Sequence, residues 1–126
     1  MTSGPSQRDV RIVAVEDLPA TNFSHELIGD DHGGTDISLI IVEAPPGRGP
    51  SLHSHPYDEV FVTLSGEALV VAGDTETVVG PGHVVIVPAG TPHRFENIGS
   101  EPLRQVDIHS SPRFVTEWLS GSPDDA

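Results

Sequence analysis

The chain has 126 residues, enough for one core but not two, with six arginines, no lysine and nineteen acidic residues for a formal charge of -13. That balance argues against nucleic acid and anionic membrane surfaces as partners, because both are bound through Lys and Arg. The absence of cysteine excludes disulfides, thiolate ligands and a cysteine nucleophile, and the absence of lysine excludes a side-chain Schiff base.

In chain order, the N-terminal "MTSGPSQRDVR" lacks an apolar signal-peptide core, and no apolar run approaches the roughly 20 residues a membrane helix needs. A cytoplasmic protein is expected. Residues 1–9 and 120–126 have the composition of flexible ends, leaving 10–119 as one folded unit. Short Val- and Ile-rich segments predict strands at "VRIVAV" (10–15), "ISLIIVEA" (37–44), "EVFVTLSG" (59–66), "EALVVAG" (67–73), "HVVIVPA" (83–89) and "LRQVDIH" (103–109). Gly- and Pro-containing turns separate them, and Gly73-Asp74 reads as a hairpin turn joining 67–71 to 75–79. The pattern is all-β, a sandwich or barrel. Only "SPRFVTEWLSG" near the C-terminus is expected to form a short helix or docking segment. Its Phe114, Trp118 and Leu119 are expected to cover an open barrel end or meet a partner. His25 and His32, earlier in the chain, are expected on the surface or at a dimer contact.

Residues two apart on a strand face one side, so His53 and His55 point together and offer two imidazole lone pairs to a divalent metal. Pro56 bends the chain, which lets Glu59 return a carboxylate to the same centre. Alternation then places Phe61 and Thr63 on the inward face with Glu59. Alone, a His-x-His pair more often marks surface or core histidines than ligands. A second stretch, "GHVVIVPAGTPHRFEN" (82–97), bends at Pro88 and Gly90. His93, Phe95 and Asn97 then alternate on one face, and β-structure can bring His93 opposite the first pair.

Together the two stretches resemble the cupin superfamily. Gly47, His53, His55, Glu59 and Gly66 fill its first motif (47–66). Gly82, Pro88, Gly90, His93 and Asn97 fill its second (82–97), after an intermotif stretch of fifteen residues, 67–81. The resemblance implies a double-stranded β-helix of jelly-roll type, usually dimeric, with one divalent transition metal (Fe, Mn, Ni, Co or Zn) held by His53, His55, Glu59 and His93. His83 departs from the Asp usual at its position. Its parity with Val85 and Val87, taken as outward, makes it a surface histidine.

Four protein ligands saturate a tetrahedral structural zinc, whereas a six-coordinate metal keeps two adjacent positions for a small-molecule substrate or dioxygen. The three-histidine, one-glutamate set and its resemblance to that of oxygen-using cupins imply a metal-dependent enzyme of the dioxygenase type acting on a small organic metabolite. A Lewis-acid isomerase, epimerase or cyclase is the alternative, and a metabolite-binding domain without turnover is the third reading. Phe61 and Phe95 are candidate apolar pocket walls, with core packing as their alternative role. Arg48 and Arg104 are candidates to hold a substrate carboxylate, while Arg94 should point away. Tyr57 either gates the metal or covers the turn. Gln105, Asp107 and His109 share one strand face opposite Val106 and Ile108. They are expected to face solvent if the apolar pair packs between sheets. If the strand lines the barrel mouth instead, Asp107 or His109 becomes a proton-transfer group and Gln105 a pocket residue.

Overall fold

The computed structural model describes residues 9–120. Ten strands occupy them: β1 (Ser24–Leu27), β2 (Ser38–Ala44), β3 (His53–Ser54), β4 (Glu59–Ser65), β5 (Ala68–Ala72), β6 (Thr75–Val79), β7 (Val84–Val87), β8 (His93–Asn97), β9 (Leu103–His109) and β10 (Glu117–Trp118). They form two five-stranded antiparallel sheets, ordered β1-β2-β9-β4-β7 and β10-β3-β8-β5-β6. The expected flexible segments 1–9 and 120–126 lie almost wholly outside the described residues.

Period-two alternation decides which side chains meet between the sheets. On β4, Glu59, Phe61 and Thr63 are buried; on β8, His93, Phe95 and Asn97; on β9, Leu103, Gln105, Asp107 and His109. β4 and β8 thus each begin with an ionisable side chain followed on the same face by a phenylalanine, and β9 runs from Leu103 to Asp107 and His109. The core gathers Val42, Ala44, Phe61, Ala68, Val70, Val79, Val87, Phe95 and Leu103. Phe61 meets Phe95 edge-on at 5.6 Å between centroids and touches His93 at 5.8 Å, so it joins the core to the polar end. Truncating a fully buried Phe costs about 3–5 kcal/mol. Phe61→Ala is expected to lower the urea midpoint accordingly, and a loss below about 1 kcal/mol would contradict this packing.

The hairpin between β5 and β6 closes with Ala72 opposite Thr75. Gly73 takes φ +56° and Asp74 does not adopt positive φ, the pattern of a type II′ turn.

Several expectations need correction. Residues 10–15 belong to no strand, Val15–Asp17 forming a 3-10 turn, and Val10 and Ile12 stand exposed at 91% and 96%. No described strand offers that segment a ladder. A strand not expected from the sequence, β1, lies beside β2 instead. The C-terminal "SPRFVTEWLSG" forms no helix. Glu117 and Trp118 pair with Ser54 and His53, and the Leu119 N–H donates to the Leu52 carbonyl at 2.9 Å. The open backbone edge of β3 supplies hydrogen bonds that a short isolated helix cannot match. On β7, Val85 and Val87 turn inward while Val84 and Ile86 turn outward, the reverse of the expected parity. His83 is nevertheless exposed, outside the strand, against the backbone of Gly80.

Gln105, Asp107 and His109 do not face solvent: they are 1%, 3% and 1% exposed, and Val106 and Ile108 point outward. Leu103 shares their parity and is fully buried. A central strand between β2 and β4 has one inner face, and Leu103 commits it.

Candidate metal centre

The site forms where β3, β4, β8 and β9 end together. Across β3 and β8, His53 stands opposite His93, and across β4 and β9, Glu59 stands opposite His109. The turn at 88–91 is tied to the first motif by the Gly90 N–H, which donates to the His55 carbonyl at 2.7 Å. The Ala89 N–H donates to Asp58 Oδ1 at 2.9 Å. Asn97 holds the far end of β8, its amide donating to the carbonyls of Ala44 and Glu101 and accepting from the Gly99 N–H.

The ligating atoms of His53, His55, Glu59 and His93 lie within 4.8 Å of one another, all four residues buried. Each imidazole is anchored by Nδ1 to a carbonyl: His53 to Ser51 at 2.7 Å, His55 to Val115 at 2.8 Å, His93 to Thr91 at 2.8 Å. A carbonyl only accepts, so each Nδ1 carries the proton and each neutral ring turns an Nε2 lone pair inward. Glu59 Oε1 lies 3.0 Å from His55 Nε2 and 3.1 Å from His93 Nε2. His55 Nε2 is buried with no hydrogen-bond partner. Lone pairs of nitrogen and carboxylate facing one another at this distance repel unless a cation lies among them. The donor set therefore fits one divalent metal, with His53, His55, Glu59 and His93 as the residues to hold it.

Burial alone would push the Glu59 carboxyl up. Without a metal, N–H donation from His109, His55 and His93, were the proton at Nε2, would outweigh it and lower the carboxyl. With the Nε2 lone pairs turned inward, a cation takes that part. Burial lowers His53 to about 4, and the Ser51 carbonyl offsets only part of this. Without metal, the unfolded chain therefore binds a proton at His53 between about pH 4 and 6.5 that the folded chain refuses. This contribution to stability is full above about pH 6.5 and is lost as pH falls towards 4. The urea midpoint of chelator-treated protein is expected to fall more steeply across that window than that of His53→Gln. Equal slopes would contradict the assignment.

Tyr57, Asp107 and His109 stand beside this centre. Tyr57 O–H lies 2.7 Å from His109 Nδ1, accepts from the Val115 N–H at 3.3 Å, and its ring stacks on His55 at 5.0 Å. Burial raises the Tyr57 hydroxyl to about 12, so it keeps its proton at neutral pH and can donate to His109. His109 Nε2 faces Glu59 Oε2 at 3.2 Å without hydrogen-bond alignment, and burial lowers its basicity against the pull of Glu59. Asp107 is buried and accepts from Gln105 Nε2 at 2.7 Å. Burial and the Glu59 charge raise its carboxyl well above the usual range, towards the neutral acid.

A cavity of about 590 Å³ opens onto His53, His55, Glu59, Asp107 and His109. Phe95, Phe114, Trp118, Phe23, Ile40 and Val42 supply its apolar walls, Glu26 adds a carboxyl, and no Arg among the described residues lines it. Phe61 lies behind this wall in the core. Arg48 and Arg104 are exposed and line no part of the cavity, Arg48 lying 5.7 Å from the Phe23 ring centre and Arg104 pointing outward from β9. Gln105 reaches the site only through Asp107. Phe114 and Trp118 do cover the open end, and in doing so touch His109 and His53 at 4.8 and 5.1 Å. The wall from Phe23, Glu26, Ile40 and Val42 went unrecognised in the sequence. The inward parity of Ile40 and Val42 was the available signal.

Two facing antiparallel sheets with a buried three-histidine, one-glutamate cluster at one end define a double-stranded β-helix built to hold a metal. The Cupin domain family matches residues 40–109, and the chain belongs to that family. It is 42% identical to Uncharacterized protein SCO3923 of Streptomyces coelicolor over 76 residues, 60% of this chain and 70% of that one. It is 30% identical to Protein SchB of Streptomyces halstedii over 115 residues, 85% and 81% of the two chains. Among solved structures it resembles Lactobacillus farciminis oxalate decarboxylase in a formate complex, with TM-score 0.70 and 27% identity. That match covers 82% of this chain and only 34% of the decarboxylase.

Proposed function

We propose that this cupin is a metal-dependent oxygenase acting on a small, ring-bearing organic metabolite of low negative charge. The observation that carries the reading is the placement of the four-ligand cluster on the floor of an aromatic-walled cavity of about 590 Å³. A bound iron, manganese, nickel or cobalt ion would supply Lewis acidity and the means of activating dioxygen. The chain's own residues do the rest. Phe95, Phe114 and Trp118 bind and orient an apolar ring and exclude water. Glu26 and Asp107 add carboxyl groups with no Arg among the described residues to offset them, so a dianion such as oxalate would meet no described side-chain cation here.

A second reading, Lewis-acid isomerisation, epimerisation or cyclisation, is favoured by the Tyr57–His109 pair. It offers a protonated hydroxyl and an imidazole that can hold or pass a proton at Nε2, beside the cavity floor. Oxygen uptake by the metal-loaded protein, measured across phenolic and β-dicarbonyl compounds, tests the two. Uptake matching substrate loss supports the oxygenase. Turnover that is unchanged under strict anaerobiosis rejects it in favour of the second reading. Metal-dependent binding without turnover of any compound bound rejects both.

A further inference from the structure

Three carboxyl groups line the metal cavity, those of Glu26, Glu59 and Asp107. Glu59 belongs to the metal cluster and Asp107 accepts from Gln105 Nε2. Glu26 has neither role. Its backbone is fixed opposite Ile40 in the β1–β2 ladder and by its N–H, which donates to the Pro19 carbonyl at 2.9 Å. The side chain is half-buried and lines the cavity with Phe23, Ile40 and Val42. Among the described residues no ion pair or side-chain hydrogen bond engages its carboxyl, and burial alone raises it above the ordinary value. Arg48 lies against the Phe23 ring without lining the cavity. An ionised carboxyl in an apolar wall carries a desolvation cost that a cation beside it would offset.

We propose that Glu26 selects the substrate by receiving a protonated amine, carried on a ring compound whose oxygen goes to the metal end of the cavity. This rests on the reading of the cavity as the site of a ring-bearing metabolite, and it adds the charge that metabolite carries. The cavity is electrically two-ended. A divalent ion with Glu59 and three neutral imidazoles leaves a single positive charge at the floor, suited to an anionic oxygen. Glu26 leaves a single negative charge on the wall, suited to a cation. The rings of Phe23, Phe114 and Trp118 line the same cavity, and aromatic faces attract an ammonium group through their quadrupole. The chain has no lysine, and no Arg among the described residues lines the cavity to compete for the carboxyl. Its net charge of -13 gathers cations and turns anions away. A neutral hydroxyl would satisfy the hydrogen bond and leave the charge unpaired, so an amine is the better complement.

Dopamine and the ethylcatechol that lacks only its amino group test this on the nickel-loaded full chain, held free of oxygen so that binding is read without turnover. Calorimetry is expected to show dopamine binding at least about tenfold tighter. Quenching of Trp118, the chain's one tryptophan, reports binding in this cavity. Glu26→Gln is expected to bring the two affinities to within about threefold by weakening dopamine. A preference set by the chain's overall charge would survive that change, which barely alters the net charge. Glu26→Lys is expected to reverse the order, with the matching dihydroxyphenylpropionate binding tighter than dopamine, an outcome that lost packing cannot produce. Equal affinities for the first pair in the wild type, or a preference that survives Glu26→Gln, would overturn the role of Glu26 and leave the reading of the cavity standing. Failure of both compounds to bind the wild type would overturn that reading and this proposal with it. Should Glu26→Lys fail to fold, the isosteric Glu26→Gln decides alone.

Discussion

The double variant His53→Ala, His93→Ala is expected to bind less than about a tenth of the divalent metal held by the wild type, by elemental analysis after gentle purification. Losing an outer partner of a metal ligand typically costs 10–100-fold in affinity, and these substitutions remove two ligands outright. The two residues face each other across the β3–β8 ladder, with ring centres 4.3 Å apart. What is left is His55 and Glu59, too few donors to displace the ion's water. The fold should survive, because the core below Phe61 is untouched. His83→Ala, on an exposed loop, is the matched control and should leave metal content unchanged. Full metal retention by the double variant would sink the assignment of the centre.

Gly49→Ala is expected to destabilise the protein by about 4 kcal/mol or more, read from urea unfolding, a size reserved for identifiable clashes and cavities. A Cβ at Gly49 would stand 1.9 Å from the Phe95 carbonyl oxygen and 2.8 Å from its carbon. Those are backbone atoms of β8, and β8 has nowhere to go. It is paired along its length with β5, and the Asn97 N–H donates to the Arg48 carbonyl at 2.9 Å. Any shift of β8 also moves His93, so metal affinity should fall with stability. Gly47→Ala separates space from conformation. Nothing lies within 4 Å of its added Cβ, but Gly47 has φ +82°. Only the left-handed strain of about 1–2 kcal/mol is expected there. Equal costs at the two positions would refute the close-approach argument.

These two positions also mark what a sequence carries. Gly47 belongs to a motif whose spacing encodes local geometry, and its positive φ is the physical content of that motif position. Gly49 has no local signature, since its need for a missing side chain arises from a strand nearly fifty residues away. The ligands divide in the same way. The parity of His53 with His55, the offset of Glu59 and the alternation of His93, Phe95 and Asn97 are local, and the structure brings their side chains together.

Parity alone does not say which face of a strand is inside. On β9 the polar set Gln105, Asp107 and His109 faces in and Val106 and Ile108 face out, against the usual preference, because Leu103 and the neighbouring strands commit the inner face. The same holds for "SPRFVTEWLSG", which extends because β3 offers it an edge. Local spacing thus determined an all-β chain, and the two motifs that resemble the cupin family marked four residues of one candidate metal centre, since backbone periodicity and turn conformations act over a few residues. Tertiary packing alone decided that His109 and Tyr57 stand beside Glu59 and that Phe114 and Trp118 close the cavity. Those depend on which strands become neighbours, a matter of hydrogen-bond edges and buried volume summed over the whole chain.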